Sequence, residues 1–348
     1  MNKELKLKLI IVGGTGLLGY SATSVALERG YDVTSLAIND ADAVSWYPNN
    51  AKMLEGDVFA MSEDELYDLF NKGKYDALIY AVGPSDRVDN KEDAYKFFHK
   101  RLVECCSNVF NAARRAGIKK AVVCSSYFLY FDRKFPKKKL AIRHPYIRAR
   151  KEQAETLIHI GMDDNSKYPR MDVCIMELPY IFGVCPNRRP IWRYTFLDQF
   201  AKGKKILMFP KGGSVVTTSY HVGEALIGAV ENGVGGKQYA IGGENHDYNW
   251  ILDKLLQGIQ GKPMKVWNPP RLLASIGAKC FIQIPERHKG VHHGFDYYRL
   301  MMDIMSDYFY FPQIEIDDTC KKLGITKGGI EEAIVETGKA CYDEGEWQ

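Results

Sequence analysis

The sequence lacks several features that would assign it to a special class of protein. No hydrophobic run reaches the roughly 18 residues that a membrane-spanning helix needs. The charges nearly balance, since 47 Lys and Arg against 43 Asp and Glu leave a formal net charge of +4, too small a surplus for a dedicated nucleic-acid or membrane-surface binder. The first residues, MNKELKLK, lack the apolar segment and cleavage site of a signal peptide. We therefore expect a cytoplasmic protein that binds any anion locally.

The cysteines show no CxxC pair and no framework spacing. There are eight of them, at positions 105, 106, 124, 174, 185, 280, 320 and 341, and most stand in apolar runs as buried thiols do. A chain of 348 residues can also bury a large core without disulfides or a structural metal. The composition therefore predicts a protein of a reducing compartment.

The first half of the chain alternates short apolar runs with longer amphipathic ones. The predicted strands are 7–12, 32–37, 77–82, 120–125 and 172–178, and predicted helices at 17–29, 92–116 and 146–160 lie between them. Strands that alternate with helices form a parallel sheet with helices on both faces, so we predict a doubly wound α/β fold. After Pro179 the pattern loosens into short helical pieces and Gly- and Pro-containing turns, which predicts a smaller second lobe.

A glycine-rich segment joins the first predicted strand to the first predicted helix. In this segment, GGTGLLG, Gly13 permits a tight turn, Gly16 lets the backbone approach a pyrophosphate at the helix start, and Gly19 lets helix and strand pack closely. Three glycines at this spacing between a strand and a helix predict a dinucleotide-binding site. The alternative interpretation is a tight turn that only connects the strand to the helix. The predicted cofactor-binding residues of the loop are Gly13, Thr15, Gly16, Leu17, Leu18 and Gly19.

Two further strand ends fit the same site. Asp57, followed by Val58, comes where a third strand ends, and its carboxylate can accept a hydrogen bond from an adenine amino group. The run DALIYAVG ends the fourth strand in Ala81, Val82 and Gly83, small residues that let a cofactor pass. We therefore add these five residues to the predicted cofactor site.

These motifs together resemble the extended and atypical short-chain dehydrogenase/reductase superfamily, which contains the NAD-dependent epimerases and dehydratases. The resemblance covers residues 5 to about 245 and includes GGTGLLG, GDV, NVFNAARRAGIKKAVVCSS and PYIFG. It implies a Rossmann-type domain over 1–178 with a returning segment near 212–242, and a substrate lobe over most of 179–348. It also implies that Pro179, Tyr180 and Ile181 line the nicotinamide end of the cofactor site.

The resemblance implies a catalytic tyrosine, a serine that binds the same substrate oxygen, and a lysine four residues after the tyrosine. In SSYFLYF, Tyr130 takes the place of the tyrosine in the family's YG pair, which puts Ser126 at the serine position. Tyr146 opens the next helix and is the expected proton donor, although an aromatic residue there can also serve packing alone. The lysine would lower the tyrosine pKa from about 10 toward neutrality.

The chain departs from this pattern at the lysine. Arg150 stands four residues after Tyr146, and Lys151 follows one later. On a regular helix the fourth residue returns to the tyrosine face, whereas the fifth lies about 140° round, so Lys151 needs a local distortion to take the lysine's place. Arginine also carries a positive charge, but its planar guanidinium is bulkier than the ammonium of lysine. We expect a catalytic set of Ser126, Tyr146 and either Arg150 or Lys151.

The choice of cofactor depends on the end of the second strand. An acid there binds the ribose hydroxyls of NAD, whereas an arginine binds the 2′-phosphate of NADP. This chain has Ala37 and Ile38, with Asp40 just beyond. Asp40 either reaches the ribose or is a solvated loop carboxylate. We expect NAD(H), with NADP(H) as the alternative.

Two positions at which nucleotide-sugar members of the superfamily carry arginine hold other residues in this chain, and this difference argues against a nucleotide-sugar substrate. Thr217 and Glu177 stand at those positions, and Glu224 replaces the aspartate of the HV.D motif. Three arginines close together in sequence, at 188, 189 and 193, either bind an anionic substrate or form a solvated loop.

Three other groups of residues receive weaker predictions. His288 and His292, with His293, have a metal-ligand spacing, but Gly290 and Gly294 interrupt the helix that they need, so we predict no metal site. The aromatic residues between 297 and 311 either line an apolar substrate pocket or form the core of the second lobe. The lysines at 137–139 border the expected active site, but a net charge of +4 gives little support for nucleic-acid binding.

The sequence therefore predicts an NAD(P)-dependent oxidoreductase or epimerase that moves hydride to or from a substrate carbinol carbon. The alternative is a catalytically weak cofactor-binding protein that acts as a regulator or an RNA-binding scaffold. We expect the protein to bind a small-molecule substrate and to bind neither nucleic acid nor membranes. A homodimer is a possible oligomeric state.

Overall fold

The computed structural model describes residues 6–38 and 43–347. The strands of this part of the chain are β1 (Lys8–Val12), β2 (Asp32–Ala37), β3 (Lys52–Glu55), β4 (Ala77–Tyr80), β5 (Lys120–Ser126), β6 (Asp172–Leu178), β7 (Tyr180–Phe182), β8 (Ile206–Met208), β9 (Gly213–Thr218), β10 (Gln238–Ala240), β11 (Glu244–Asp247), β12 (Lys265–Trp267) and β13 (Tyr308–Phe309).

The α-helices follow the same numbering along the chain. They are α1 (Leu17–Glu28), α2 (Ala43–Trp46), α3 (Glu63–Gly73), α4 (Ala94–His99), α5 (Cys105–Arg115), α6 (Phe128–Lys134), α7 (Leu140–Arg143), α8 (Pro145–Met162), α9 (Asp198–Phe200), α10 (Ser219–Asn232), α11 (Tyr248–Gln260), α12 (Arg271–Ala278), α13 (Ile284–His288), α14 (Tyr297–Arg299), α15 (Gln313–Leu323) and α16 (Ile330–Cys341). Wider π-helical turns lie next to six of these helices, at Lys100–Glu104 between α4 and α5, at Arg193–Leu197 before α9, at Lys279–Gln283 between α12 and α13, and at Leu300–Met305 after α14. None of the helices described here is both long and apolar enough to span a bilayer.

The large sheet has seven strands in the order β10-β6-β5-β4-β1-β2-β3, and every neighbouring pair is parallel. The chain therefore winds outward in one direction from β1 to β3 and in the other from β4 to β6. The direction reverses between β1 and β4, and ligands of such sheets bind at this switch point, outside the carboxyl ends of the strands. The predicted doubly wound α/β fold is confirmed.

Both faces of the sheet are buried, and the central strand shows why. In β1, Leu9 and Ile11 pack into the core on one face, whereas Ile10 and Val12 pack into the core on the other, and all four are at most 1% exposed. Alternate side chains of a strand point to opposite faces, so a strand that is covered on both sides reads as one continuous apolar run.

A second lobe is built on smaller sheets. Strands β11, β9 and β13 form one of them, with β7 also paired to β9, and β8 pairs with β12. The predicted returning segment near 212–242 divides between the two sheets: β9 joins the second lobe, whereas α10 packs on α1 and β10 adds to the large sheet beside β6. A Cβ on Gly223 would lie 2.6 Å from the Ser21 carbonyl oxygen, so the α1–α10 contact requires a glycine there.

The structure differs from the sequence prediction mainly in the helices. The helix predicted at 92–116 contains the π-helical turn Lys100–Glu104, and one of the short helical pieces predicted after Pro179 is the π-helical turn Arg193–Leu197 followed by the short α9. Side-chain periodicity does not distinguish a π-helical turn from regular helix over one turn, so the sequence pattern misses both.

Candidate active site

A cavity of about 540 Å³ opens at the carboxyl edge of the large sheet, between the sheet and the second lobe. The segments that follow β1, β4, β5 and β6 line one half of it, and the second lobe lines the other half. This position is the switch point at which open parallel sheets bind their ligands. Most of the predicted site residues meet here.

The glycine loop leaves one side open toward the cavity. Gly13 has a φ of +88°, and a Cβ there would lie 2.6 Å from a Val82 methyl carbon. A Cβ on Gly19 would lie 2.2 Å from the Gly13 carbonyl oxygen, so this glycine permits the close contact between α1 and β1. A Cβ on Gly16 would meet only that same oxygen, at 3.4 Å. Of the three loop glycines, Gly16 is therefore the one with free space beside it.

The amino terminus of α1 is uncapped by any side chain. Gly16 is its N-cap residue, and no side chain accepts a hydrogen bond from the first turn. The first backbone N–H groups of a helix have no partner within the helix and carry a partial positive charge. Beside the open face of Gly16, these groups form a position where a phosphate can bind.

Arg188, from the second lobe, reaches the same loop. Its Nε donates to the Thr15 carbonyl oxygen over 3.1 Å, and its Nη2 lies 3.5 Å from the Thr15 hydroxyl. Arg188 lines the cavity together with Gly16 and Leu17. It therefore adds a cation beside the helix terminus, although it comes from a segment 173 residues further along the chain.

The two arginines that follow in sequence form ion pairs with residues near the end of the chain. Arg189 forms an ion pair with Asp343, and Arg193 pairs with Glu346 over 3.0 Å. The sequence left all three arginines open as an anion-binding group or a solvated loop. The structure separates Arg188 from the other two, and no local sequence signal distinguishes them.

Tyr146 and Arg150 line the cavity side by side. Both lie on α8, one turn apart, and both line the cavity although they are only 8% and 7% exposed. The Arg150 Nε donates to the Tyr146 hydroxyl over 3.1 Å, while its Nη1 donates to the Cys124 carbonyl oxygen and to the Gln153 side chain. The guanidinium is thus fixed on the tyrosine face of the helix.

The Tyr146 phenol is held firmly and sits in an apolar environment. Its ring packs edge-on against Phe98 and beside Phe295, and its backbone N–H donates to Gly294 in the second lobe. Burial raises the pKa of Tyr146 above its ordinary value, and the charge and hydrogen bond of Arg150 and the Ser126 hydroxyl only partly offset this rise. The expectation that a neighbouring cation brings this pKa toward neutrality is therefore not met in the protein alone.

Lys151 is a correction to the predicted catalytic set. The helix α8 is continuous from Pro145 to Met162, so no bulge rotates Lys151 toward the tyrosine. Its ammonium instead pairs with Asp132 over 3.2 Å on the outer side of the helix, with nearly half of its side chain exposed. Arg150, and not Lys151, therefore contacts the Tyr146 hydroxyl.

The remaining predicted residues fall into three groups. Those lining the cavity are Leu17, Leu18, Ala81, Val82, Gly83, Ser126, Pro179, Tyr180 and Ile181. Asp57 and the buried Val58 follow β3 at the same sheet edge but outside this cavity, and the Asp57 carboxylate accepts from the Phe59 N–H over 2.9 Å. Asp40 lies outside the described residues, as does its predicted contact with the ribose.

The positions that argue against a nucleotide sugar point away from the cavity. Glu177 is 1% exposed and pairs with Arg133 over 2.8 Å, while burial raises the pKa of Glu177 to about 7. Glu224 accepts hydrogen bonds from the backbone and hydroxyl of Thr326. Thr217 is also buried, and these three side chains do not line the cavity.

The weaker sequence candidates have structural partners elsewhere. His293 pairs with Glu286 over 2.8 Å, and the residues described here contain no group of three or more His, Cys, Asp or Glu side chains placed to share a metal ion. Lys138 pairs with Asp307 over 2.5 Å. In the aromatic segment, Phe309 and Phe311 are buried core residues.

Several cavity residues were not predicted from the sequence. Asp86 and Arg87 directly follow the small residues after β4, so their position at a strand end was the available signal. Trp192, Phe209 and Phe295 come from separate parts of the second lobe. No periodicity links them, because the lobe consists of short, irregular elements.

Known proteins share this fold over its whole length. The solved structure titled gox2253 covers 96% of this chain and 97% of its own, with a TM-score of 0.71 and 18% identity. MoeE5, solved in complex with UDP-glucose and NAD, covers 95% and 97% with a TM-score of 0.64 and 13% identity. At these identities the likeness shows the fold.

Sequence comparison gives a narrower match and the family. The UDP-glucose 4-epimerase of Corynebacterium glutamicum is 27% identical over 127 residues, which are 36% of this chain and 36% of that protein. The alignment thus spans little more than a third of this curated relative. Residues 9–242 match the NAD dependent epimerase/dehydratase family, and this span is more than half of the 348 residues. The chain belongs to the NAD dependent epimerase/dehydratase family.

Proposed function

We propose that the protein is an NAD(P)-dependent oxidoreductase or epimerase-like enzyme that transfers hydride to or from a substrate carbinol carbon. The observation that carries the proposal is the Tyr146 hydroxyl, bound by Arg150 over 3.1 Å in a cavity that also contains the open face of the glycine loop. Membership of an NAD-dependent family supports the same conclusion.

The residues present fit a dinucleotide. The free space beside Gly16, the uncapped start of α1 and the Arg188 guanidinium would hold a pyrophosphate. The small residues at 81–83 and the segment at 179–181 would border the nicotinamide end. A bound nicotinamide supplies the hydride donor or acceptor. We propose NAD(H), with NADP(H) as the alternative, because Ala37 and Ile38 offer no cation for a 2′-phosphate.

Residues of the chain donate and accept the proton of the substrate oxygen. When a carbonyl carbon gains hydride, its oxygen needs a proton, and the Tyr146 phenol is placed to donate it. The Ser126 hydroxyl, 6% exposed at the end of β5, would donate a hydrogen bond to the same oxygen. In the reverse direction the Tyr146 phenolate accepts the proton of the alcohol.

Arg150 positions and tunes the phenol. Its charge and hydrogen bond lower the Tyr146 pKa against the effect of burial, which is larger. Tyr146 therefore carries its proton at neutral pH in the protein alone and is ready to act as an acid. The phenolate needed for alcohol oxidation becomes more populated as the pH rises toward the raised pKa.

A direct test measures the transfer of deuteride from a labelled cofactor, because any substrate that is reduced then carries deuterium. The purified protein is titrated with NADH and NADPH side by side, and NADH is expected to bind at least as tightly. It is then incubated with 4-deuterated NADH and a mixture of carbonyl compounds, and alcohols are searched for deuterium by mass spectrometry. We expect label with the wild type and a loss of about 10²–10⁴-fold in rate for Tyr146→Phe. Binding of NADH without Tyr146-dependent label would contradict net carbonyl reduction, and the further absence of any Tyr146-dependent epimerisation with NAD⁺ would favour the scaffold alternative.

Arg188 gives a second test, which reports on the pyrophosphate position. Arg188→Met is expected to weaken ADP-ribose binding by about tenfold or more, because one charge-assisted contact to a phosphate is lost. Adenosine, which lacks the pyrophosphate, should bind equally to the variant and the wild type. Arg189→Met is the matched control, since Arg189 contacts Asp343 and not the glycine loop. Calorimetry that finds equal losses for both variants would contradict the assignment.

A further inference from the structure

The half of the cavity that belongs to the second lobe has an apolar wall. We use this name for Trp192, Phe196, Phe209, Leu252, Phe295 and Leu300, which all line the cavity. Phe209 packs edge-on against both Phe196 and Tyr248, with ring centroids 5.2 Å apart in each case. Trp192 stacks on Phe182, and its indole N–H donates to the Ile181 carbonyl oxygen. These contacts hold Trp192, Phe196 and Phe209 in place.

Two tyrosine hydroxyls of the cavity lining are already engaged. The hydroxyls of Tyr180 and Tyr248 both donate to the Met305 sulfur, over 3.6 and 3.7 Å. A sugar ring placed against the wall would bury several hydroxyls beside hydrocarbon, and each buried hydroxyl without a partner weakens binding. A hydrocarbon group has no hydrogen bonds to lose at the wall, and its removal from water stabilises the complex.

The charges in the cavity do not offer a site for a second diphosphate. In the part of the chain that the structure describes, the charged side chains lining it are Asp86, Arg87, Arg150, Arg188 and Arg189. Arg150 is bound to Tyr146, Arg188 to the phosphate loop and Arg189 to Asp343.

Arg87 is the remaining arginine, and it is balanced by its neighbour. It donates to the Thr195 carbonyl oxygen over 3.2 Å, and its Nε lies 3.7 Å from the Asp86 carboxylate. The pair carries no net charge on the substrate side. An anionic ligand here would meet the Asp86 carboxylate together with the Arg87 cation, so neither a diphosphate nor a carboxylate is favoured.

We infer that the substrate is an uncharged carbonyl compound, or its alcohol, with a hydrocarbon body that packs on the apolar wall, and that it is not a sugar nucleotide. This inference rests on the proposed function, because it concerns the substrate of the same site. The cavity of about 540 Å³ also receives the nicotinamide end, which leaves space for a small body.

The experiment uses aldehydes that differ by single groups. Reduction of propanal, butanal, pentanal and hexanal by NADH is measured with the full chain, and kcat/KM is expected to rise by up to about fourfold for each added methylene. Hexanal should exceed 6-oxohexanoate, which has the same length and a terminal carboxylate, by about tenfold or more. UDP-galactose should not be converted to UDP-glucose. Faster conversion of UDP-galactose, or a preference for 6-oxohexanoate, would overturn the inference.

A pair of variants locates the effect in the wall. Phe209→Ser should flatten the rise along the aldehyde series, whereas Phe281→Ser, at a side chain that is 84% exposed and outside the cavity, should leave it unchanged. Equal slopes in the two folded variants would contradict the assignment of the wall.

A binding measurement separates this inference from the proposed reaction. Calorimetry of 1-hexanol and UDP-galactose with Tyr146→Phe in the presence of NAD⁺ requires no turnover and does not depend on the Phe209 variant. Binding of hexanol in preference to UDP-galactose supports the substrate class even where no hydride transfer is found, which would refute the reaction alone. Preferential binding of UDP-galactose refutes the substrate class while leaving the reaction in place.

Discussion

Arg150→Met is expected to slow alcohol oxidation by about 10- to 10³-fold at neutral pH. The Arg150 cation and its hydrogen bond lower the Tyr146 pKa, so the removal of Arg150 raises this pKa further. At any pH below this pKa, each unit of increase reduces the phenolate fraction tenfold. The pH profile of oxidation should therefore move to higher pH, whereas reduction at neutral pH, which uses the protonated phenol, should lose less. Steady-state rates in both directions from pH 6 to 10 measure this difference.

The neighbouring lysine provides the matched control for this variant. Lys151→Met removes the same charge one residue later, but Lys151 faces Asp132 on the outer side of α8, so neither rates nor profile should change. Arg150→Lys should restore part of the oxidation rate, because it returns a cation to the tyrosine face. If Lys151→Met slowed oxidation and Arg150→Met did not, the result would show that the start of α8 rearranges when ligands bind. No effect from Arg150→Met or Tyr146→Phe would leave Tyr146 as a packing residue.

Gly16→Val is expected to weaken NADH binding by at least about a hundredfold, or about 2.8 kcal/mol, while the protein stays folded. The valine side chain would fill the space that the pyrophosphate needs beside the start of α1. The backbone tolerates the change, because Gly16 has an extended conformation with φ −84° and ψ 165°, and a Cβ meets only one atom, at 3.4 Å. Valine is a poorer N-cap residue, so a loss of about 1 kcal/mol in folding stability is expected. Calorimetry and thermal unfolding measure the two effects.

Two other glycines control for the substitution itself. Gly277→Val introduces the same side chain on α12, where a Cβ meets nothing within 4 Å, and cofactor affinity should be unchanged. Gly19→Val should instead prevent correct folding, because its Cβ would lie 2.2 Å from the Gly13 carbonyl oxygen. A folded Gly16→Val protein with wild-type affinity for NADH would show that the pyrophosphate does not bind at this loop.

The sequence alone predicted the doubly wound parallel sheet and the strand ends at which ligands bind. Its strands read as apolar runs because both faces of the sheet are covered, as in β1, and helices between them allow only parallel pairing. The face occupied by Arg150 was also predictable, since helix periodicity returns the fourth residue to the side of Tyr146. These features depend on residues close together in the chain.

Only the tertiary structure decided the electrostatics and the second half of the cavity. The net rise in the Tyr146 pKa comes from burial by segments as distant as Phe98 and Phe295, and this desolvation outweighs the local effect of Arg150. Arg188 reaches the phosphate loop across 173 residues, while the adjacent Arg189 pairs with Asp343. The apolar wall gathers side chains from short elements of the second lobe that share no sequence period. Burial and long-range contacts depend on how the whole chain packs, and a local sequence pattern does not contain that information.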